Sequence, residues 1–219
     1  MPSVDNKVHY GLTNVYYAPL TETVDPQTGA VTASYGTPVR WPGAVSIDLS
    51  SNMSQDNFYA DNGVYYVTSS DNNYEGDFES ASVPRQFKKD IFGDVEDVNG
   101  ALIEVAGVPT RYFALMLEHS GDVGGQRQVF YKCSATRPNQ GSATTEDGIE
   151  VQTQTVTIKA IPTAENVTIG ENTEAHPIQA FLNKGDTGYN EFFSAVYRPV
   201  NSTTPAEPTE DSTEDSTEG

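Results

Sequence analysis

Alternation of apolar and polar residues at period two recurs along this sequence, and it restricts the chain to strands with one covered face. In residues 44–50, Val45, Ile47 and Leu49 alternate with Ala44, Ser46, Asp48 and Ser50. In residues 74–81, Tyr74, Gly76, Phe78 and Ser80 alternate with Glu75, Asp77, Glu79 and Ala81. In residues 129–136, Val129, Tyr131, Cys133 and Ala135 share one face, and Phe130, Lys132, Ser134 and Thr136 share the other. Residues 150–161 are rich in Thr, Val and Ile, which suit a pleated surface. Residues 111–117, RYFALML, are apolar on both faces and read as a central strand. Further strands are expected at 7–17, 63–68 and 189–198. Punctuation comes from Pro, Gly, Asn and Asp, in DPQTG at 25–29, DNNYEG at 71–76 and GDVGG at 121–125.

One helix is predicted near 83–92. Ser82 can cap it, Pro84 suits its first turn, Phe87 and Ile91 lie four apart on one face, and Gly93 can end it. A segment of that length is marginal alone, so it must pack on a sheet. The expected fold class is mainly β, a sandwich or barrel with one short flanking helix. It forms one domain over residues 1–200, with 1–6 as an arm. Residues 201–219 (NSTTPAEPTEDSTEDSTEG) carry no aromatic or large apolar residue, and EDST occurs twice. Such a segment cannot bury enough surface to offset the entropy of ordering, so a disordered acidic tail is expected.

Twelve basic residues against thirty-one acidic ones give a net charge of −19. That balance argues against wrapping a nucleic-acid backbone, which needs clustered Lys and Arg, and against adhesion to anionic membranes. The single cysteine, Cys133, excludes an internal disulfide framework. The N-terminal MPSVDNKVHYG has neither a basic nor an apolar secretory region, so a product of a reducing cytoplasm is expected.

Motifs for bond chemistry are scarce. His9, His119 and His176 are far apart, outside any HExxH-type frame, and no zinc-finger spacing exists. Neither GxSxG nor GxxxxGK[ST] occurs. Cys133 reads as a small buried side chain. Asp71-Asn72-Asn73-Tyr74-Glu75-Gly76 resembles the opening of a calcium loop, but Ser82 stands where a bidentate Glu is needed, and the segment reads equally as a turn entering a strand. Paired carboxylates of the kind a glycosidase uses are inevitable among so many acids. No catalytic residue, cofactor or metal site is expected. Tyrosines cluster at Tyr16, Tyr17, Tyr59, Tyr65 and Tyr66, where the choice is between core packing and an interface.

Several segments, in order, resemble the major tail proteins (tail-tube subunits) of long, flexible-tailed phages of Gram-positive bacteria. They are VHYGLTNVYYAPLTE (8–22), PGAVSIDLS (42–50), NFYADNGVYYVTSSDNNYEGDFESASVPRQFKKDIFG (57–93), RYFALMLEHSGD (111–122), YKCSATRP (131–138) and FFSAVYRP (192–199). The likeness spans about residues 7–199, and FYADN followed by YEGDFE and a short helix ending in FG is its most specific part. The acidic tail departs from it.

The resemblance implies two packed antiparallel sheets of tail-tube type flanked by a helix, with long loops or arms. It implies hexameric rings, stacked into a tube within the virion, and no enzymatic activity. Implied partners are the chain itself, a tape-measure protein, tail terminator and initiator or baseplate proteins, and viral DNA passing without specific binding; no membrane is implied. An acidic channel wall repels phosphate within a screening length of about 8 Å. Glu75, Asp77 and Glu79 are candidates for that lining, although a row of acids also describes a solvated outer face. Two rival readings are a surface-exposed binding module (an adhesin or carbohydrate-binding sandwich) and an acidic hydrolase.

Overall fold

The alternating segments become strands, in a computed structural model that describes residues 10–52, 55–60, 63–69, 73–121, 125–141 and 152–200, with backbone alone for 55–60 and 63–69. The strands are β1 (Leu12–Val24), β2 (Val31–Tyr35), β3 (Val39–Arg40), β4 (Ala44–Asn52), β5 (Gln55–Ala60), β6 (Gly63–Ser69) and β7 (Asn73–Ser80). The helix α1 (Arg85–Phe87) continues as a π-helical turn over Lys88–Phe92. Then come β8 (Val95–Glu96), β9 (Leu102–Ile103), β10 (Tyr112–His119), β11 (Gln126–Ala135), β12 (Gln154–Ala160), β13 (Val167–Ile169), β14 (Asn172–Ala175) and β15 (Gln179–Leu182). Residues 1–6, the acidic tail and Asp71 lie outside the described residues.

The fold is mainly β, as the periodicity requires. Nine strands form one antiparallel sheet ordered β2-β1-β10-β11-β12-β7-β4, with β3 also on β1 and β15 also on β11. β5 with β6, β8 with β9, and β13 with β14 form small two-stranded sheets. The two packed layers are therefore two halves of one curled sheet. The curl brings β4 close to β1, yet no strand pairing joins them among the described residues, so the barrel stays open.

The inner face holds Val15, Tyr17, Trp41, Phe78, Phe113, Leu115, Phe130, Cys133, Val156 and Ile158. The helix closes one end of it. Phe87 sits among Tyr17, Trp41, Phe92 and Phe113 at ring-centroid distances of 4.3–5.3 Å. Burying such a ring is worth about 1.5–3 kcal/mol by transfer alone. The Tyr17 hydroxyl donates to Asp90 Oδ2 at 2.9 Å, and Trp41 Nε1 donates to the Ser82 carbonyl at 3.3 Å. Gly93 ends the helix at φ 73°, as expected. Ser82 does not cap it: Pro84 occupies the N-cap and no side chain caps the helix start.

A second apolar layer lies on the other face, where Tyr189, Phe192 and Val196 cover Ala18, Ala114, Met116, Val129 and Tyr131. This is why β10 is apolar on both sides. The covering segment is a run of turns, where the sequence predicts a strand over 189–198. It is anchored by Arg198, which donates to the Ala33 carbonyl at 2.7 Å and pairs with Glu165. Likewise the strand expected at 7–17 begins at Leu12 and runs on to Val24.

Two bulges shift faces that strict alternation assigns otherwise. One between Ala44 and Ser46 turns Val45 outward to 52% exposure and leaves Ile47 and Leu49 facing in. Another opposite Phe113–Leu115 places Cys133 on the inner face with Phe130, away from Val129 and Tyr131.

Candidate functional site

The register of β4, β7 and β12 places three cross-strand rows on the outer surface of that half of the sheet. They are Ser46–Glu79–Thr155, Asp48–Asp77–Thr157 and Ser50–Glu75–Lys159. Opposite faces of the same strands carry Phe78, Val156 and Ile158 into the core, and that burial fixes which residues point out. Glu75, Asp77 and Glu79 therefore share one face, as the alternation predicts, and Asp48 joins them.

Neighbours hold these carboxylates against the sheet. Thr157 Oγ1 donates to Asp77 Oδ1 at 2.8 Å, Ser46 Oγ donates to Glu79 Oε2 at 3.2 Å, and Thr153 donates to Glu79. Lys159 lies 3.5 Å from Glu75 as an exposed ion pair. Four carboxylates thus face one ammonium, and Asp48 stands directly across from Asp77, an arrangement that like charges disfavour. The sequence alone conceals Asp48, Thr157 and Lys159, because strand register is not local information.

Asn73 and Glu75 lie within β7, paired with Asn52 and Ser50. An extended, paired backbone cannot wrap an ion, which removes the calcium-loop reading at those two positions. Among the described residues, no three His, Cys, Asp or Glu side chains converge as metal ligands.

The sheet ends differently at its two borders. β2 is five residues long and is capped at one point: the Arg198 guanidinium donates to its Ala33 carbonyl and lies over the Tyr35 ring. β4 has a strand partner on one side only among the described residues. It is nine residues long and contains no Lys, Arg or Pro. Its bulge lies at the start, leaving Ile47–Asn52 in regular register. Edge strands of soluble proteins are commonly blunted by such residues or by a cover.

The aromatic candidates divide. Tyr17 is a core residue, fully buried, with its hydroxyl pKa raised by desolvation and then by the hydrogen bond to Asp90; it is no interface residue. Tyr16 is half-buried and stacks on Phe193 at 4.7 Å. The side chains of Tyr59, Tyr65 and Tyr66 lie outside the described residues, although their backbones form the β5–β6 hairpin. Cys133 is fully buried, and burial pushes its thiol pKa up.

At the end of the barrel opposite the helix is an open groove of about 280 Å³ between Ile47, Leu49, Leu117, Phe130 and Phe181. Gln128 and Gln179, hydrogen-bonded to each other at 2.9 Å, with Tyr74 and His119, complete its wall. Nothing in the alternating pattern marks this groove, because its residues come from five strands.

No protein-family model matches the sequence, and comparison with curated proteins finds no match. No described helix is long and apolar enough to cross a membrane.

Proposed function

We propose that this chain is the subunit of a self-assembling tube, the tail tube of a long, flexible-tailed bacteriophage. The observation that carries the reading is the open border at β4. A nine-residue edge without lysine, arginine or proline has, among the described residues, no strand partner on its outer side, and a neighbouring copy can complete it. When such a head-to-tail joint closes by rotation, the product is a ring, and six copies fit the sequence resemblance.

Extending the sheet through β4 also assigns its faces. One face of β4–β7–β12 is already packed on the core, so the face free to line a channel carries Asp48, Glu75, Asp77 and Glu79. That wall repels DNA phosphates and lets the polymer pass without sticking. The action is mechanical and electrostatic, with no bond chemistry, cofactor or metal. Its partners are other copies, a tape-measure protein, the tail terminator and the initiator or baseplate proteins, in a virion assembled in the host cytoplasm.

Crowding acidic walls makes ring formation dependent on salt. Sedimentation of concentrated protein over rising ionic strength, with tail initiator added in parallel, is expected to convert monomers to rings and longer particles. A monomer at every salt concentration, with and without initiator, refutes the proposal.

A further inference from the structure

The exposed aliphatic residues at the helix end are concentrated on one small hairpin. Val95 and Ile103 are cross-strand partners in β8–β9 and are 55% and 49% exposed. Val98 at the turn is fully exposed, and Val105 follows β9 at 40%. Exposed aliphatic side chains gathered on one hairpin are a feature that contact sites use. The hairpin is held in shape before any contact is made. Asp97 Oδ1 accepts from the Asn99 and Ala101 amides at 2.9 and 2.7 Å, and Gly100 takes φ 81°. Lys89 pairs with Glu96 at 3.0 Å, and Arg85 donates to the Gly100 carbonyl. A preformed hairpin loses little entropy on docking.

The groove of Ile47, Leu49, Leu117, Phe130 and Phe181 lies at the other end of the molecule. β7 runs from Tyr74 at the groove to Ser80, just before the helix. β10 runs back from Arg111, which donates to the Lys89 and Asp90 carbonyls, to Leu117 and His119 at the groove. The hairpin and groove of one copy therefore cannot meet. The groove lining includes no carboxylate, lysine or arginine. The hairpin carries Glu96, Asp97 and Glu104 between its aliphatic residues, but Glu96 is paired with Lys89, Glu104 with Arg137, and Asp97 accepts from its own turn's amides. On a chain of net charge −19, an uncharged groove and a hairpin whose acids are locally paired let two copies approach with less repulsion than the acidic rows of β4, β7 and β12.

We infer that copies stack head to tail by seating the β8–β9 turn of one copy in the groove at the far end of the next. The inference rests on the tube reading, and it supplies the ring-to-ring contact that the β4 border does not. A patch and a socket at opposite ends of one molecule make a heterologous contact that does not close, so stacking propagates.

The test uses two single variants of the full chain, Val98→Cys and Phe181→Cys. Both positions are exposed, and the native Cys133 is buried, so added thiols report alone. The variants are mixed, assembled at the salt that gives particles, and oxidised mildly. A 98–181 cross-linked dimer is expected in the mixture, several-fold above the dimer in either variant alone. A second variant, Val98→Asp, is expected to form single rings that do not stack. Particles that form without the 98–181 cross-link, or Val98→Asp tubes as long as wild type, overturn this docking and leave the tube reading standing. Absence of any particle, ring or tube, in all variants and in wild type overturns both.

Discussion

Replacing Phe87 with alanine removes the side chain that holds the only described helix onto the sheet. The α-helical part spans three residues and the π-helical turn five, so local propensity cannot sustain it. Phe87 is fully buried and packs against four aromatic rings at centroid distances of 4.3–5.3 Å. Phe→Ala in such a site costs about 3–5 kcal/mol, and the ring contacts, each worth about 0.5–1.5 kcal/mol, belong to that same loss. We expect a loss of about 4 kcal/mol, and for a chain of this size about 2–4 °C in Tm per kcal/mol, hence roughly 8–16 °C. Trp41 is the single tryptophan and lies 4.3 Å from the Phe87 ring, so its fluorescence reads this site during urea or thermal unfolding. A loss below about 1 kcal/mol with unchanged Trp41 emission refutes the claim that the helix is held by core packing.

Gly76→Ala is expected to cost at least about 3 kcal/mol or to yield insoluble protein, because a Cβ there would lie 1.8 Å from the Asp48 carbonyl oxygen; urea titration of any soluble fraction checks this. Asp77→Asn keeps an acceptor for Thr157 and removes the repulsion across from Asp48, so particles are expected to form at lower salt by sedimentation, with a monomer more stable by about 0.2–1 kcal/mol. Glu22→Leu strands the largely buried Lys132 ammonium, which lies 2.6 Å from Glu22 Oε2, and is expected to cost about 3–5 kcal/mol in denaturant unfolding. Stability is also expected to fall at alkaline pH. Burial raises the pKa values of Tyr17, Tyr35, Tyr131 and Cys133. Above the ordinary values of 9.0 for the thiol and 10.0 for the phenols, the unfolded chain releases protons that the folded chain keeps. Their contribution is thus intact below pH 9.0 and lost as pH rises further, with the phenolate absorbance of Tyr17, Tyr35 and Tyr131 appearing only on unfolding.

The strands of the sheet were legible because burial on one face writes itself into the sequence at period two. Phe78 inward and Asp77 outward followed from that rule alone, as did the double-sided burial of β10. Bulges hid the rest: an extra residue near Val45 and another near Lys132 reverse the faces downstream, and no local residue announces them. Residues 189–198 alternate like a strand, yet Tyr189, Phe192 and Val196 pack as a turn-rich cover over β10 and β11. For the candidate site, Glu75, Asp77 and Glu79 could be placed on one face, but Asp48 and Lys159 joined them only through long-range register. Tyr17 illustrates the same limit. Its neighbour Tyr16 stacks on Phe193 at the flank of the second layer, while Tyr17 points into the core.

Hydrogen exchange along residues 44–52 tests the central claim most directly. The amides that β4 leaves without a strand partner should exchange quickly in the low-salt monomer and become strongly protected in particles formed at high salt. Equal and fast exchange of those amides in monomers and in assembled particles would show that copies join elsewhere, and that β4 is an ordinary exposed edge.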